Sequence, residues 1–300
     1  MCIRDRPYRF KARPWDLTET ASTAVTDSVG ARITVQSSRN EVLRYLGVDS
    51  DPVNWGWLSD KERFSFEALN SDTRVTTPLV RGDSLGSASP DGDQLVEASW
   101  AKALGMISSA LEGIDPSRVA VLGGARLTNE AQYAWAKFAK SVIGTDHVDA
   151  QMNDGLSPAS LIDLPKATID EVCAAGGTIV VVGADPKETH GSLFLRLRHA
   201  VEHDGATLIE INDRSSGLTP YAAHSLIAAP GSVDAVAAAL SGAELVDGVD
   251  GLDALKIRAA AVAFAAADST TVVLGAGSLG SNGAPYDLSL IHISEPTRPY

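Results

Sequence analysis

The chain has 300 residues, 44% of them apolar and 21% charged, which suffices for roughly two globular domains of ~100–200 residues each. The formal net charge of −13 argues against nucleic-acid binding, because it repels phosphate backbones. Only Cys2 and Cys173 are present, which excludes a disulfide framework or a cysteine-ligated cluster built from this chain alone. No apolar run reaches the ~18–20 residues of a membrane span, so the sequence predicts no direct membrane insertion.

The two ends differ in character from the rest of the chain. Residues 289–300 carry prolines at 296 and 299 and continue no periodic element. They resemble the peptide translated from a sequencing adapter, and residues 1–6 resemble the matching peptide of the other end. We therefore expect 1–6 and 289–300 to be artefacts and 7–288 to be an internal fragment of a longer protein. A genuine disordered tail is the alternative.

A small β module is predicted over residues 7–70. Within it, residues 32–36 and 41–46 are rich in strand-forming residues and flank the polar Ser37-Ser38-Arg39-Asn40, which indicates a hairpin. Residues 71–95 are rich in Ser, Asp, Gly and Pro, and this composition predicts an extended connector.

Helices and strands alternate over the predicted α/β domain, residues 96–288. Strands are predicted at 118–122, 178–182, 206–211, 225–229 and 271–274. Helices are predicted at 99–112, 169–174 and 252–267, and further helices begin after Thr128, after Ser232 and around Leu193–Val201. The run 178–182 lacks polar alternation, as expected of a strand buried on both faces. The fold class is therefore α/β: a doubly wound, mostly parallel sheet preceded by a small β-rich module.

Two short motifs suggest chemistry that their surroundings do not support. Residues 275–280 match the dinucleotide fingerprint G-x-G-x-x-G, but no predicted helix follows them, so we interpret them as a glycine-rich turn. His199 and His203 fall in H-x-x-E-H, a zinc-peptidase pattern. That helix face also carries Arg196 and Glu202, and we interpret it as solvent-exposed.

Polar loops after two buried strands are the candidate binding site. Ligands of open α/β sheets lie beyond the carboxyl ends of the strands, so we expect these loops to lie side by side there. Glycine permits close backbone approach, aspartate accepts from a ribose or purine, and arginine pairs with phosphate. Loop-turn chemistry alone is the alternative. The candidate residues are Gly183, Asp185, Pro186, Asn212, Asp213 and Arg214.

Several segments together resemble one protein family. The similarity is carried by YRFKARPWDL (8–17), GVDSDP (47–52), WLSDK (57–61), VAVLGGAR (119–126) and LPKATIDE (164–171). They resemble the large subunits, called G, of bacterial NADH:quinone oxidoreductases, especially the actinobacterial forms. These subunits belong to the molybdopterin oxidoreductase superfamily. In its formate dehydrogenase and nitrate reductase members, the loops matching 183–186, 212–214 and 230–232 contact a guanine-dinucleotide molybdenum cofactor.

This chain departs from the ligand pattern of that superfamily. A [4Fe–4S] cluster there uses C-x-x-C-x-x-x-C and a later cysteine, and the matching positions are Ala24, Asp27, Ala31 and Ser59. None supplies a thiolate, so we expect no cofactor in this fragment and iron–sulfur clusters in the parent protein. A molybdenum ligand would follow residue 148, where Asp154 offers only a carboxylate. We expect an empty, vestigial pocket without molybdopterin.

The resemblance implies a non-catalytic scaffold part of a respiratory electron-transfer subunit, with no catalytic residue of its own. Its partners would be other subunits of the complex, and its place would be cytoplasmic, peripheral to the inner membrane through that complex. A molybdopterin-dependent oxidoreductase similar to formate dehydrogenase and a nucleotide-binding α/β protein are the alternatives. We also expect Trp15, Trp55 and Trp57 to pack against chain that is missing here.

Overall fold

The computed structural model describes residues 10–26, 29–82, 94–124, 127–150, 165–242, 249 and 252–275. Their contacts form two compact units, one from residues 1–65 and 151–300 and the other from residues 66–150. The domain bounds predicted from composition stay a prediction, since positions such as 288 lie outside the described residues.

The β module of the first unit is a three-stranded antiparallel sheet. It consists of β1 (Thr18–Thr23), β2 (Arg32–Ser38) and β3 (Glu41–Gly47), in that order. Arg39 and Asn40 have φ values of 51° and 65°, so the two-residue turn has the left-handed backbone that matches strand twist. The predicted hairpin is confirmed, with slightly longer strands. A short helix, α1 (Asp60–Phe64), follows the sheet.

A four-stranded parallel sheet with flanking helices is the other main part of the first unit that the structure describes. Its strands are β8 (Thr178–Val182), β9 (Thr207–Asn212), β10 (His224–Ile227) and β11 (Thr270–Leu274), in the order β10-β9-β8-β11. The helices are α4 (Ile169–Val172), α5 (Pro186–Thr189), α6 (Gly191–His203), α7 (Val233–Leu240) and α8 (Ala254–Ala265). The doubly wound parallel sheet is thus confirmed.

Two apolar clusters cover the two faces of this sheet. Alternate residues of β8 point to opposite faces: Val180 and Val182 pack with α7 and α8, while Ile179 and Val181 pack with α6. All five residues of the strand are buried, as the unbroken apolar run predicted. Between β8 and β11 the strand order reverses, and ligands of open parallel sheets usually bind at the carboxyl edge beside such a reversal.

The described residues of the second unit form two small strand pairs and two longer helices. Its strands β4 (Leu79–Arg81) and β5 (Leu95–Glu97) pair antiparallel, and β6 (Val121–Leu122) and β7 (Val148–Asp149) pair parallel. Its helices are α2 (Trp100–Leu111) and α3 (Asn129–Phe138). The predicted strand 118–122 is shorter than expected, because Pro116–Arg118 forms a 3-10 turn. Across all described residues, no helix has both the length and the apolarity to cross a membrane.

Candidate functional site

The polar face of α6 packs against the β module through a buried arginine. Arg196 is 2% exposed, and its Nη1 donates to the carbonyl oxygens of Asp51 and Val53 at 3.2 and 3.0 Å. Its Nη2 donates to the Asp170 carboxylate, and its guanidinium carbon lies 3.7 Å from the ring centroid of Trp55. The expectation that this face is solvent-exposed was wrong for Arg196, because the β module covers it.

Aromatic rings continue the same contact surface. The ring centroid of His199 lies 5.4 Å from that of Trp55 and 5.3 Å from that of Trp57, in edge-to-face geometry. These two tryptophans therefore pack within this chain, contrary to expectation, whereas Trp15 is 79% exposed. His203 stacks near His199, but the described residues contain no group of three metal-ligating side chains. Of the H-x-x-E-H residues, His199 packs against the tryptophans, while Glu202 and His203 are exposed.

Ser59 begins α1 and joins the β module to α6. Its backbone N–H donates to Glu62 Oε2 at 2.7 Å, and its Oγ accepts from the N–H of Glu62 at 3.2 Å, which completes a capping box. Glu62 is 1% exposed and also accepts from the hydroxyl of Ser192 at 3.0 Å. A Cβ on Gly191 would lie 2.2 Å from Ser59 Oγ, so only glycine permits this approach.

The side chains at the three described cluster positions, Ala24, Ala31 and Ser59, do not fit an iron–sulfur cluster. Ala24 and Ala31 are buried, and the N–H of Ala24 donates to the carbonyl of Ala31 at 2.8 Å. Their methyl groups offer no lone pair to iron, and the hydroxyl of Ser59 already caps α1. Asp27 lies outside the described residues. The sequence has no cysteine between Cys2 and Cys173 that could replace them.

The two strand-end loops lie side by side, because β8 and β9 are neighbouring parallel strands. The side chain of Asn212 donates to the carbonyl of Ala184 and accepts from the N–H of Asp213, at 3.2 and 2.9 Å. Asp185 accepts from the N–H groups of Lys187 and Gly217, both at 3.2 Å. These polar groups are therefore engaged in holding the loops to each other.

The other residues of the predicted site are less engaged. Gly183 has a φ of 59°, and the backbone of Gly275 lies close to it. A Cβ added to Gly275 would lie 2.5 Å from the Gly183 carbonyl oxygen. Pro186 is buried at the start of α5, and Arg214 is largely exposed, 3.9 Å from the carboxylate of Asp213. Residues 276–280 of the glycine motif, and Asp154, lie outside the described residues.

Sequence reasoning missed the Ser59–Glu62–Ser192 and Arg196–Asp170 contacts. The spacing of Ser59 and Glu62 does match the S-x-x-E capping pattern, and Thr168 and Glu171 repeat it with a second capping box. Hydrogen bonds from Thr168 to the carboxylate lower the pKa of Glu171. The local sequence does not, however, predict which distant helix donates a hydrogen bond to the Glu62 carboxylate.

Two family models match the chain. The molybdopterin oxidoreductase model matches residues 74–245, and the model of the NADH-ubiquinone oxidoreductase NDSU1/NuoG-like 4Fe-4S domain matches residues 17–67. The chain thus contains a domain of an iron–sulfur type, which opposes the expectation that it holds no cofactor. The residues at the expected ligand positions favour that expectation.

Curated relatives extend the similarity. The large NADH-quinone oxidoreductase subunit, called G, of Mycobacterium bovis is 32% identical over 70% of this chain, and its counterpart in Streptomyces coelicolor is 30% identical over 85%. The mitochondrial 78 kDa subunit of the Candida albicans NADH-ubiquinone oxidoreductase is 32% identical over 65% of this chain. The chain spans only 26%, 32% and 26% of these relatives' lengths.

Proposed function

Because the chain belongs to the molybdopterin oxidoreductase family, we propose that it is a scaffold part of the large electron-transfer subunit of a respiratory NADH:quinone oxidoreductase. In this proposal the complex moves electrons from NADH to quinone, and the fragment performs no chemistry itself. Its partners are other subunits, which hold it on the cytoplasmic side at the inner membrane. The names of its relatives support this role.

The proposal that the fragment holds no cluster rests on the three described ligand positions, Ala24, Ala31 and Ser59. Iron–sulfur clusters need thiolates, and this region offers buried methyl groups and a hydroxyl that is already a helix cap. Hydrogen bonds from Ser59 and Ser192 to Glu62 join the module to α6 without any metal. The module can therefore keep its place in a scaffold while electrons pass through other parts of the complex.

Anaerobic reconstitution with iron and sulfide tests the absence of a cluster. The full chain should show no visible charge-transfer absorption after desalting, and iron analysis should find far less than about four irons per chain, the content of one [4Fe–4S] cluster. A Cys2→Ser, Cys173→Ser variant is the matched control for iron held by the two free thiols. A brown wild-type protein with a full complement of iron would refute the proposal.

Metal analysis separates the proposal from a molybdopterin-dependent enzyme. In the strand-end loops, Asp185 and Asn212 already hydrogen-bond to the protein, which leaves fewer groups for a guanosine end. We expect no molybdenum in protein purified from the native host. About one molybdenum per chain would favour the alternative enzyme.

The role within the complex is tested by tagging the native gene. Affinity purification from gently solubilised membranes should recover the tagged protein together with NADH:quinone oxidoreductase activity. Recovery of the tagged protein alone from the soluble fraction, with the activity left in the membranes, would contradict the role in the complex.

A further inference from the structure

Strand β1 is an open edge of the sheet in the β module. The strand order is β1-β2-β3, so β2 pairs with one side of β1, and among the residues that the structure describes no strand pairs with its other side. All six residues of β1 are exposed. Natural proteins protect an edge strand with proline, lysine, a bulge or a covering segment. The sequence TETAST of β1 contains neither proline nor lysine, and its pairing with β2 stays in register over the whole strand.

The register shows which backbone groups of β1 point away from the sheet. The N–H of Ala24 donates to the carbonyl of Ala31, on the β2 side, at 2.8 Å. The backbone groups of an antiparallel strand alternate in direction from one residue to the next. The N–H and C=O groups of Glu19, Ala21 and Thr23 therefore point to the open edge, where they offer three donors and three acceptors to a further strand.

The single charge on β1 does not oppose a further strand. Glu19 is the only charged residue of β1, and its Oε1 accepts from Gln36 Nε2 at 2.5 Å. Gln36 Oε1 in turn accepts from Arg44 Nε, also at 2.5 Å. These hydrogen bonds cross the sheet from β1 to β3 and hold the carboxylate over β2. The open edge itself is therefore made of backbone groups and small polar side chains.

Exposed apolar side chains lie beyond both ends of β1. Trp15 precedes the strand and is 79% exposed, and Val25 follows it and is 63% exposed. A single exposed apolar residue is ordinary, but these two flank one open edge. When two identical strands pair antiparallel, the start of each strand meets the end of the other. Such a pair brings the Trp15 end of each copy to the Val25 end of the other copy, so the apolar ends cover each other.

We propose that the open edge of β1 binds the same edge of a second copy of this chain, which makes one six-stranded antiparallel sheet across a twofold axis. With Ala21 on the axis, Glu19 of each copy lies opposite Thr23 of the other, and all the edge-facing backbone groups form hydrogen bonds. An axis at Glu19 would instead place two carboxylates opposite each other and lose most of these bonds. This surface goes beyond the scaffold role, which requires no second copy.

Sedimentation velocity on the full chain at increasing protein concentration tests the proposal. We expect the mass to shift from one copy to two copies as the concentration rises. Ala21→Pro removes only an N–H that points to the open edge, a position where a strand tolerates proline. It should raise the dissociation constant of the dimer at least about tenfold, because both hydrogen bonds at the axis are lost. Ala21→Ser keeps the N–H and is the matched control, for which we expect an unchanged dissociation constant.

Disulfide crosslinking tests the register. In a Cys2→Ser chain, where the remaining Cys173 is buried, Ala21→Cys places two thiols across the axis, with Cα atoms about 5.5 Å apart and thus within reach of a disulfide. Oxidised glutathione should convert this variant to a covalent dimer. Thr18→Cys is the matched control. Thr18 lies opposite Ala24 of the other copy, about 20 Å from that copy's Thr18, so this variant should stay monomeric on a denaturing gel.

Other outcomes overturn the proposal. A chain that stays monomeric at its highest soluble concentration would refute it and leave the edge to a strand of a different protein. A dimer that Ala21→Pro does not weaken, or equal crosslinking of Ala21→Cys and Thr18→Cys, would refute pairing through β1. If circular dichroism shows that Ala21→Pro is unfolded, Ala21→Lys decides. It keeps the N–H but places two cations across the axis, so an unchanged dissociation constant would refute the proposal. The scaffold role fails only in the purification test, so the two failures are distinguishable.

Discussion

Helices α6 and α2 are similar in length but differ in what covers them. On α6, Leu197 is fully buried against the sheet, and Arg196 is buried against the β module. On α2, the side chains of Trp100, Leu104 and Ile107 are 68%, 56% and 55% exposed. Both helices have amphipathic sequences, and the exposed helix α2 is the one with a side-chain N-cap, Ser99, so local sequence does not explain the difference. Contacts from distant segments decide which faces are buried.

Side-chain polarity alone does not predict burial on either helix. A charged residue on α6 is buried because the β module supplies carbonyl acceptors and an aromatic ring around it. Apolar residues of α2 and α3 are exposed because the described part of their unit offers only two short strand pairs to pack against. Exposed apolar surface of this extent is typical of an interaction surface.

The largest difference between the two helices should come from truncating a leucine on each. Leu197→Ala should lower the free energy of unfolding by about 2–5 kcal/mol, because it leaves a cavity between α6 and the sheet. Leu104→Ala should change it by less than about 0.5 kcal/mol, since that side chain is mostly exposed. Urea denaturation followed by circular dichroism measures both. Equal losses would mean that α2 is covered in solution.

Replacing the buried arginine should have the next largest effect. Arg196→Met keeps the stem but removes the donors to Asp51 and Val53, and we expect a loss of about 2–3 kcal/mol. Arg198→Met is the matched control: its i,i+4 pair with Glu202 is partly exposed and contributes only about 0.3–0.5 kcal/mol. Urea midpoints give both values. A similar small loss in both variants would show that the β module leaves α6 readily.

The regular elements of the parallel sheet could be predicted from sequence. The apolar run Thr178–Val182 is a local signal, and it forms the buried strand β8 as predicted. In the second unit, the helix predicted after Thr128 is also confirmed, with Thr128 as its N-cap. Strand β1 was missed, because its sequence TETAST is polar and its residues are exposed. Its place depends on pairing with β2, which is a tertiary contact.

The candidate sites were predictable only in part. Neighbouring parallel strands bring the loops after β8 and β9 together, which follows from alternation alone. The β module contacts helices far along the chain: Ser192 on α6 donates to Glu62, 130 residues away, and Lys61 donates to the carbonyl of Glu188 on α5, 127 residues away. No periodicity in the sequence encodes such a pairing, so these contacts could not be predicted.

The reactivity of the Cys173 thiol reports whether α6 stays packed against the sheet. Burial raises the pKa of Cys173 to about 11, and this thiol belongs to the apolar cluster under α6. Since the thiolate is the reactive form, a Cys2→Ser chain at pH 8 should react with DTNB about a hundredfold more slowly than an ordinary thiol. The rate should rise as pH approaches 11. It should also rise in Leu197→Ala, and rapid reaction of the Cys2→Ser chain itself would contradict the packing.

The smallest effects should come from adding one methyl group to a glycine on each helix. Gly191→Ala places a Cβ 2.2 Å from Ser59 Oγ and 2.5 Å from Ser59 Cβ, so the β module must shift, at a cost of about 1–3 kcal/mol. Gly105→Ala on α2 meets nothing within 4 Å and should stabilise the helix by about 0.5–1 kcal/mol, because alanine loses less backbone entropy.

A second variant shows whether the clash with Ser59 causes the loss in Gly191→Ala. Ser59→Gly removes the opposing side chain, and glycine is itself an acceptable helix cap, so this change alone costs little. The double variant should then be more stable than the sum of the two single changes predicts, since the added methyl has space. Strict additivity in urea denaturation would mean that α6 and the β module do not touch at Gly191. In that case the clash with Ser59 would not explain why Gly191→Ala lowers the free energy of unfolding while Gly105→Ala raises it.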